Sequence, residues 1–169
     1  MQRSFHTVVF SHGKESGPWG SKITALAAVA RERGAAVESV DYQGIEDARV
    51  RVEKLLAVGR GLRGPLVLVG SSMGGHVSAA AAAPLGARAL FLMAPAFYMP
   101  GFEAHTPRDV SCPATIVHGW NDDIVPVANS IRWAGERRAA LHVLDSDHRL
   151  NDRIGEIAVL FREFLIALG

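Results

Sequence analysis

Six short apolar runs alternate with helical patterns along this chain, and that alternation constrains the fold more than any other feature. The runs span residues 7–10, 36–40, 66–69, 89–93, 114–117 and 141–144. Each is mostly apolar and bounded by Gly, Pro, Ser or Asp, the pattern of a strand buried on both faces. Parallel neighbours need crossover connections, and the intervening segments supply them. Trp19, Ile23, Leu26, Ala27 and Ala30 form one helical face, with Pro18 before it and Gly34 after it. Ala48, Val52, Leu55, Leu56 and Gly59 form a second. A third helix follows Ser72 and is expected to end at Pro84. Pro126 opens a fourth, which carries Val127 and Ile131 and is expected to stop near Gly135. The last has the clearest stripe: Ile154, Ile157, Ala158, Phe161, Leu165 and Leu168. The expected architecture is an α/β fold, a doubly wound parallel sheet of six strands with helices on both faces. Functional residues in such sheets gather beyond the carboxyl ends of the strands.

Four strand ends carry chemistry. After the third run comes Gly70-Ser71-Ser72-Met73-Gly74-Gly75, in which Gly70, Ser72 and Gly74 fit G-x-S-x-G. A turn that lifts a serine above a sheet forces strained backbone angles and crowds neighbouring chain, so the flanking positions must be nearly free of side chain. The helix that follows points its first amides at the space beside the serine hydroxyl, where negative charge develops when a carbonyl is attacked. After the first run comes Ser11-His12-Gly13-Lys14, where Gly13 permits close approach and the Lys14 amide is a second candidate oxyanion donor beside that of Met73. After the fifth run, His118-Gly119-Trp120-Asn121-Asp122-Asp123 brings two carboxylates, either of which suits orienting an imidazole. After the sixth, Asp145-Ser146-Asp147-His148 places a histidine on the edge where Ser72 should emerge. Among the other histidines, His6 and His142 lie at or in strands, His76 follows the serine turn and His105 lies in a polar loop. His12 and His118 precede glycines at strand ends and are read as shaping those loops.

Composition narrows the alternatives. At 169 residues the chain is long enough for one domain with a sizeable core. A net charge of +1, with scattered arginines, gives no electrostatic reason to expect nucleic acid or an anionic membrane as partner. The single cysteine, Cys112, excludes an intramolecular disulfide and is read as a structural thiol. No zinc-ligand spacing, HExxH, GxGxxG or Walker pattern occurs, so no metal or other cofactor is expected. The first residues lack a signal-peptide apolar region and no run reaches membrane-spanning length, so a cytoplasmic protein is expected.

In these segments the chain resembles a small, cap-less bacterial member of the alpha/beta-hydrolase superfamily. The resemblance rests on residues 9–13, 69–75 and 118–126 and on Asp147-His148, in the family order of nucleophile, acid and histidine. It implies strand order 2-1-3-4-5-6 and a single hydrolase domain over residues 1–169 without a cap; the chain departs from the family pattern in that the usual opening antiparallel strands are not expected. The family pattern HGxxDxxVP assigns the acid to Asp122 rather than Asp123, because Val125 and Pro126 fix the register. Ser72 is then the nucleophile, His148 the base, and the Met73 and Lys14 amides the oxyanion donors. Ser71 as nucleophile would require Val69 to be a glycine. Gly13, Phe97 and Tyr98 are the substrate-binding candidates, although Phe97, Tyr98, Met99 and Phe102 are equally suited to packing the sheet's flank. The implied activity is a serine esterase or related acyl hydrolase of small substrates, working through an acyl-enzyme. Two alternatives use the same residues differently: an acyltransferase or thioesterase, or a hydrolase-like module that binds a protein partner and retains only vestigial activity.

Overall fold

A computed structural model describes residues 7–169. His6 falls outside them. Six strands, β1 (Thr7–Ser11), β2 (Ala36–Val40), β3 (Leu66–Ser71), β4 (Ala89–Met93), β5 (Ala114–Gly119) and β6 (Ala140–Leu144), form one sheet in the order β2-β1-β3-β4-β5-β6. Every neighbouring pair is parallel. Four of the five connections between strands are helical, α1 (Ser21–Glu32), α2 (Ala48–Arg60), α3 (Met73–Leu85) and α4 (Val127–Arg137); β4 reaches β5 without an α-helix, and α5 (Ile154–Ala167) follows β6.

The sheet divides the core in two, and the alternation of side chains along each strand explains why the runs are apolar throughout. Val8, Phe10, Val67, Val69, Phe91 and Met93 point to one face, where Ile23 and Leu26 of α1 and Ile157, Phe161 and Leu165 of α5 cover them. Val9, Leu66, Leu68, Leu90 and Leu92 point to the other, against Leu55 of α2, Val77 of α3 and Trp133 of α4. With both faces covered, polar side chains in the central strands are few and bonded internally, as Ser11 to Tyr42 and His118 to Ser130 and Val125.

Three boundaries differ from the sequence reading. Trp19 precedes α1 and is half exposed, under the Arg31 guanidinium, rather than on the helix's buried face. Helix α3 continues through Pro84 to Leu85, because a proline in the last turn removes only one hydrogen bond; left-handed Gly86 then stops it. Helix α4 passes Gly135 and ends at Arg137, since a single glycine weakens a helix without breaking it. Strands β1, β3 and β5 also reach one or two residues beyond the apolar runs. Ladder pairs such as Ser71 with Met93 and Gly119 with Leu144 hold these polar or small ends in the sheet.

Phe161 is fully buried, with its ring centroid 5.0 Å from that of Phe91 and 6.4 Å from that of Phe10. Phe161→Ala should therefore cost roughly 3–5 kcal/mol in urea unfolding. A loss below about 1 kcal/mol would mean that α5 does not hold this face of the sheet together.

Candidate active site

The turn after β3 is shaped by backbone crowding. A Cβ on Gly70 would lie 2.2 Å from the Gly74 carbonyl oxygen, and one on Gly74 would lie 2.0 Å from that of Ser11. Only glycine allows the end of β3, the start of α3 and the end of β1 to come this close. Between the two glycines Ser72 takes φ 54° and ψ −118°, a region that costs an ordinary residue free energy. Its backbone is pinned on both sides: Ser72 N–H donates to Met93 O at 2.9 Å, and Ser72 O accepts from Ala96 N–H at 2.9 Å.

The acid and histidine loops are joined by a second close approach. A Cβ on Gly119 would meet Ser146 O at 2.3 Å. The Trp120 N–H donates to Leu144 O, and the Asn121 N–H to Ser146 O at 3.0 Å, so the chain after β5 runs tightly along the chain after β6. The Asp147 carboxylate accepts from the Arg149 and Leu150 amides, and Lys22 of α1 donates to Arg149 O, which fixes the loop that carries His148.

These constraints bring three side chains into one hydrogen-bonded line. Ser72 Oγ lies 3.0 Å from His148 Nε2, and His148 Nδ1 lies 2.7 Å from Asp122 Oδ2. A carboxylate can only accept, so Nδ1 carries the hydrogen and Nε2 is free to accept the Ser72 hydroxyl proton. The other carboxylate oxygen, Oδ1, accepts from the Ile124 and Val125 amides at 2.9 and 2.7 Å. The Asp122 side chain is buried. Asp123 is exposed.

His118 contributes to the acid more directly than its place beside a glycine suggested. It is fully buried; Nε2–H donates to Val125 O at 2.9 Å and lies 3.0 Å from Asp122 Oδ2, while Nδ1 accepts from the Ser130 hydroxyl at 2.7 Å. Both neighbours of Nε2 are acceptors, which fixes the tautomer. The signal was present as the histidine four residues before Asp122, but nothing in the sequence linked it to Ser130 on α4.

The loop after β1 reaches the same place. A Cβ on Gly13 would lie 3.4 Å from Ser72 Cβ, so the Gly13-Lys14 segment flanks the serine. Met73 opens α3. Phe97 and Tyr98, by contrast, pack into the flank of the sheet instead of lining an open pocket. Phe97 is fully buried and stacked on Trp133 at 4.8 Å. Tyr98 is 7% exposed, with its hydroxyl on Glu136 and its ring under Arg132. Segment 94–98 follows β4 directly and is tied to Ser72 O, which draws these rings against α4. Phe102 is exposed. Cys112 is half-buried, and burial pushes its thiol pKa up. A polar surface depression of about 510 Å³ is lined by Asn121, Asp145, Asp147, Arg149 and Arg153 and does not include Ser72. Among the described residues no group of His, Cys, Asp and Glu could hold a metal ion, and no helix is long and apolar enough to cross a membrane.

The sequence matches the alpha/beta hydrolase family over residues 8–163. The chain belongs to that family. It is 35% identical to a Xanthomonas campestris protein assigned to the alpha/beta superfamily of hydrolases, with a TM-score of 0.89 over 96% of this chain and 99% of that one. Est1E from Butyrivibrio proteoclasticus superposes with a TM-score of 0.84 at 18% identity, over 99% and 89% of the two chains. A serine hydrolase without a lid, also from X. campestris, gives 0.77 at 21% identity, over 93% and 79%. These last two likenesses are of fold. No curated protein matches the chain in sequence.

Burial lowers the pKa of His12, His76 and His118 below the ordinary 6.5. Below that pH the unfolded chain binds protons that the folded chain resists, so stability present near neutrality should decline as pH falls through and below 6.5. His118→Gln removes one such group and keeps an amide donor. Urea unfolding from pH 7.5 down to 5.5, as an order-of-magnitude window about the histidine range, should show a shallower decline for this variant than for the native chain. Parallel declines would show that His118 is not held neutral.

Proposed function

We propose that this hydrolase is a serine acyl hydrolase, cleaving esters or thioesters of small substrates through an acyl-enzyme on Ser72. The observation that carries the reading is the unbroken line from the Ser72 hydroxyl through His148 to buried Asp122. His148 takes the hydroxyl proton as Ser72 Oγ attacks the carbonyl carbon, and then delivers that proton to the departing alcohol or thiol. Water, deprotonated by the same nitrogen, attacks the acyl-enzyme and releases the acid and Ser72. Asp122 holds the tautomer that makes Nε2 the base and stabilises the imidazolium. The Met73 and Lys14 amides are the oxyanion donors, since one begins α3 directly after the nucleophile and the other lies in the loop that Gly13 presses against Ser72.

Residues 1–169 act in this reading as one domain without a cap. The segment where such an insertion would sit, residues 94–113, carries one short 3-10 turn, Glu103–His105, and is tied down by Phe97 and by the Tyr98 N–H donating to Thr106. Short or exposed acyl groups suit a site over which no cap is inserted. In this reading the partner is a small-molecule ester rather than a nucleic acid or a membrane, and cytoplasmic residence is compatible with it.

Ser72→Ala should lower kcat on short p-nitrophenyl esters by about 10⁴-fold or more while leaving unfolding unchanged. Native rates from this variant would remove Ser72 from the mechanism. Because the base must be unprotonated to accept the Ser72 proton, kcat/KM should fall toward acid, and a flat profile would remove His148 as base. Among p-nitrophenyl esters, acetate or butyrate should be preferred; a large gain in kcat/KM with long chains would contradict the open site.

A further inference from the structure

Arg51 is the one buried cation on the inner face of α2, and nothing in the catalytic line uses it. It is 2% exposed, and among the described residues no carboxylate forms an ion pair with it. A buried guanidinium without a counter-charge is costly to keep, so its hydrogen-bond partners are informative. Nε donates to Ile45 O at 2.7 Å, and Nη1 lies against His12 O and Gly13 O at 3.2 and 3.3 Å. The guanidinium rests over the Tyr42 ring at 5.3 Å, and the Tyr42 hydroxyl is bonded to Ser11 at the end of β1.

Two of those three carbonyls belong to the loop beside Ser72, and one of them shares a peptide unit with the Lys14 amide. The Gly13–Lys14 bond is trans, so its C=O and N–H point in opposite directions. Fixing Gly13 O therefore aims Lys14 N–H. The same oxygen is held a second time. Tyr42 N–H donates to His12 Nε2 at 2.8 Å, which leaves the hydrogen on Nδ1, and Nδ1–H donates to Gly13 O at 2.7 Å. The face of Gly13 where a Cβ would stand is turned to Ser72.

We propose that Arg51 is a positioning residue for the oxyanion site: with His12 it clamps the Gly13 carbonyl toward α2, which directs the Lys14 N–H to the side of Ser72 before substrate arrives. Its unpaired charge adds a fixed positive potential beneath the loop where the oxyanion forms. The inference rests on the acyl-hydrolase reading and deepens it. Carbonyl ground states gain little from such a clamp, whereas the tetrahedral oxyanion depends on it, so the effect falls on kcat more than on KM.

The test compares Arg51→Met, Arg51→Gln and Arg51→Lys with the native protein and with Ser72→Ala, with a short p-nitrophenyl ester as substrate. Rates of the proteins that keep Ser72 are normalised to active sites titrated with a fluorophosphonate, so partial unfolding does not register as slow chemistry, and Ser72→Ala is compared per mole of protein. Loss of one oxyanion donor lowers kcat about 10²–10³-fold, and a misaimed donor should cost about tenfold or more of that. Arg51→Met and Arg51→Gln should show this loss per titrated site with KM within about twofold, and Arg51→Lys, which keeps the charge but not the planar fork, should fall between them and the native rate. Affinity for a trifluoromethyl ketone, whose adduct carries the oxyanion, should fall by the same factor as kcat/KM. If Arg51→Met does not fold, Arg51→Gln decides. Native kcat per titrated site in the neutral variants, with Ser72→Ala inactive, would overturn the clamp and leave the serine mechanism standing. Native rates from Ser72→Ala would overturn both.

Discussion

The close approach of Gly70 and Gly74 to one another, and of Gly74 to the end of β1, is the constraint on which the rest of the site depends. With side chains at either position, β3, α3 and β1 would have to separate by more than an ångström. Their contact forces the one residue free to absorb it, Ser72, into a strained backbone conformation. Strain of this kind persists only when surrounding bonds over-determine it, and the bonds from Ser72 to Met93 and Ala96 do so. The sheet supplies the leverage. Phe161 and Trp133 pack its two faces, and the strand ends are held in register by a ladder that continues to Ser71 and Gly119.

The same logic repeats at the acid and the histidine. Gly119 lets the chain after β5 run against the chain after β6, and the resulting bonds leave Asp122 and His148 facing each other across two loops. Two amides hold one oxygen of the Asp122 carboxylate, His148 takes the other, and His118, locked by Ser130 and Val125, stands behind it. Both oxygens of the buried carboxylate thus have donors, as a polar group shut away from water requires.

Much of this was legible in the sequence, and the reason is local. Strands buried on both faces must be apolar throughout, so all six were visible as runs, and family order gave their arrangement. Gly70 and Gly74 singled out Ser72 over Ser71 because both constraints lie within two residues of the serine. The family pattern, through Val125-Pro126, pointed to Asp122 rather than Asp123, and Asp122 is the carboxylate that lies on His148. What was not legible depends on partners distant in the chain. Phe97 and Tyr98 read as pocket or flank with equal force until Trp133 and Glu136, more than 30 residues on, were seen against them. Arg51 lies outside the apolar face read for its helix, Ala48, Val52, Leu55, Leu56 and Gly59; only the folded loop from β1, bringing the His12 and Gly13 carbonyls, gives it a reason to be inside.

The central claim is that Ser72 is an activated nucleophile because His148 and Asp122 are aligned on it. Labelling the native protein with a fluorophosphonate and locating the adduct by peptide mass spectrometry tests this most directly. The expected result is a single adduct on Ser72, absent in Ser72→Ala and formed far more slowly in His148→Ala. No adduct, an adduct on Ser71 or another residue, or equal labelling rates with and without His148 would contradict it.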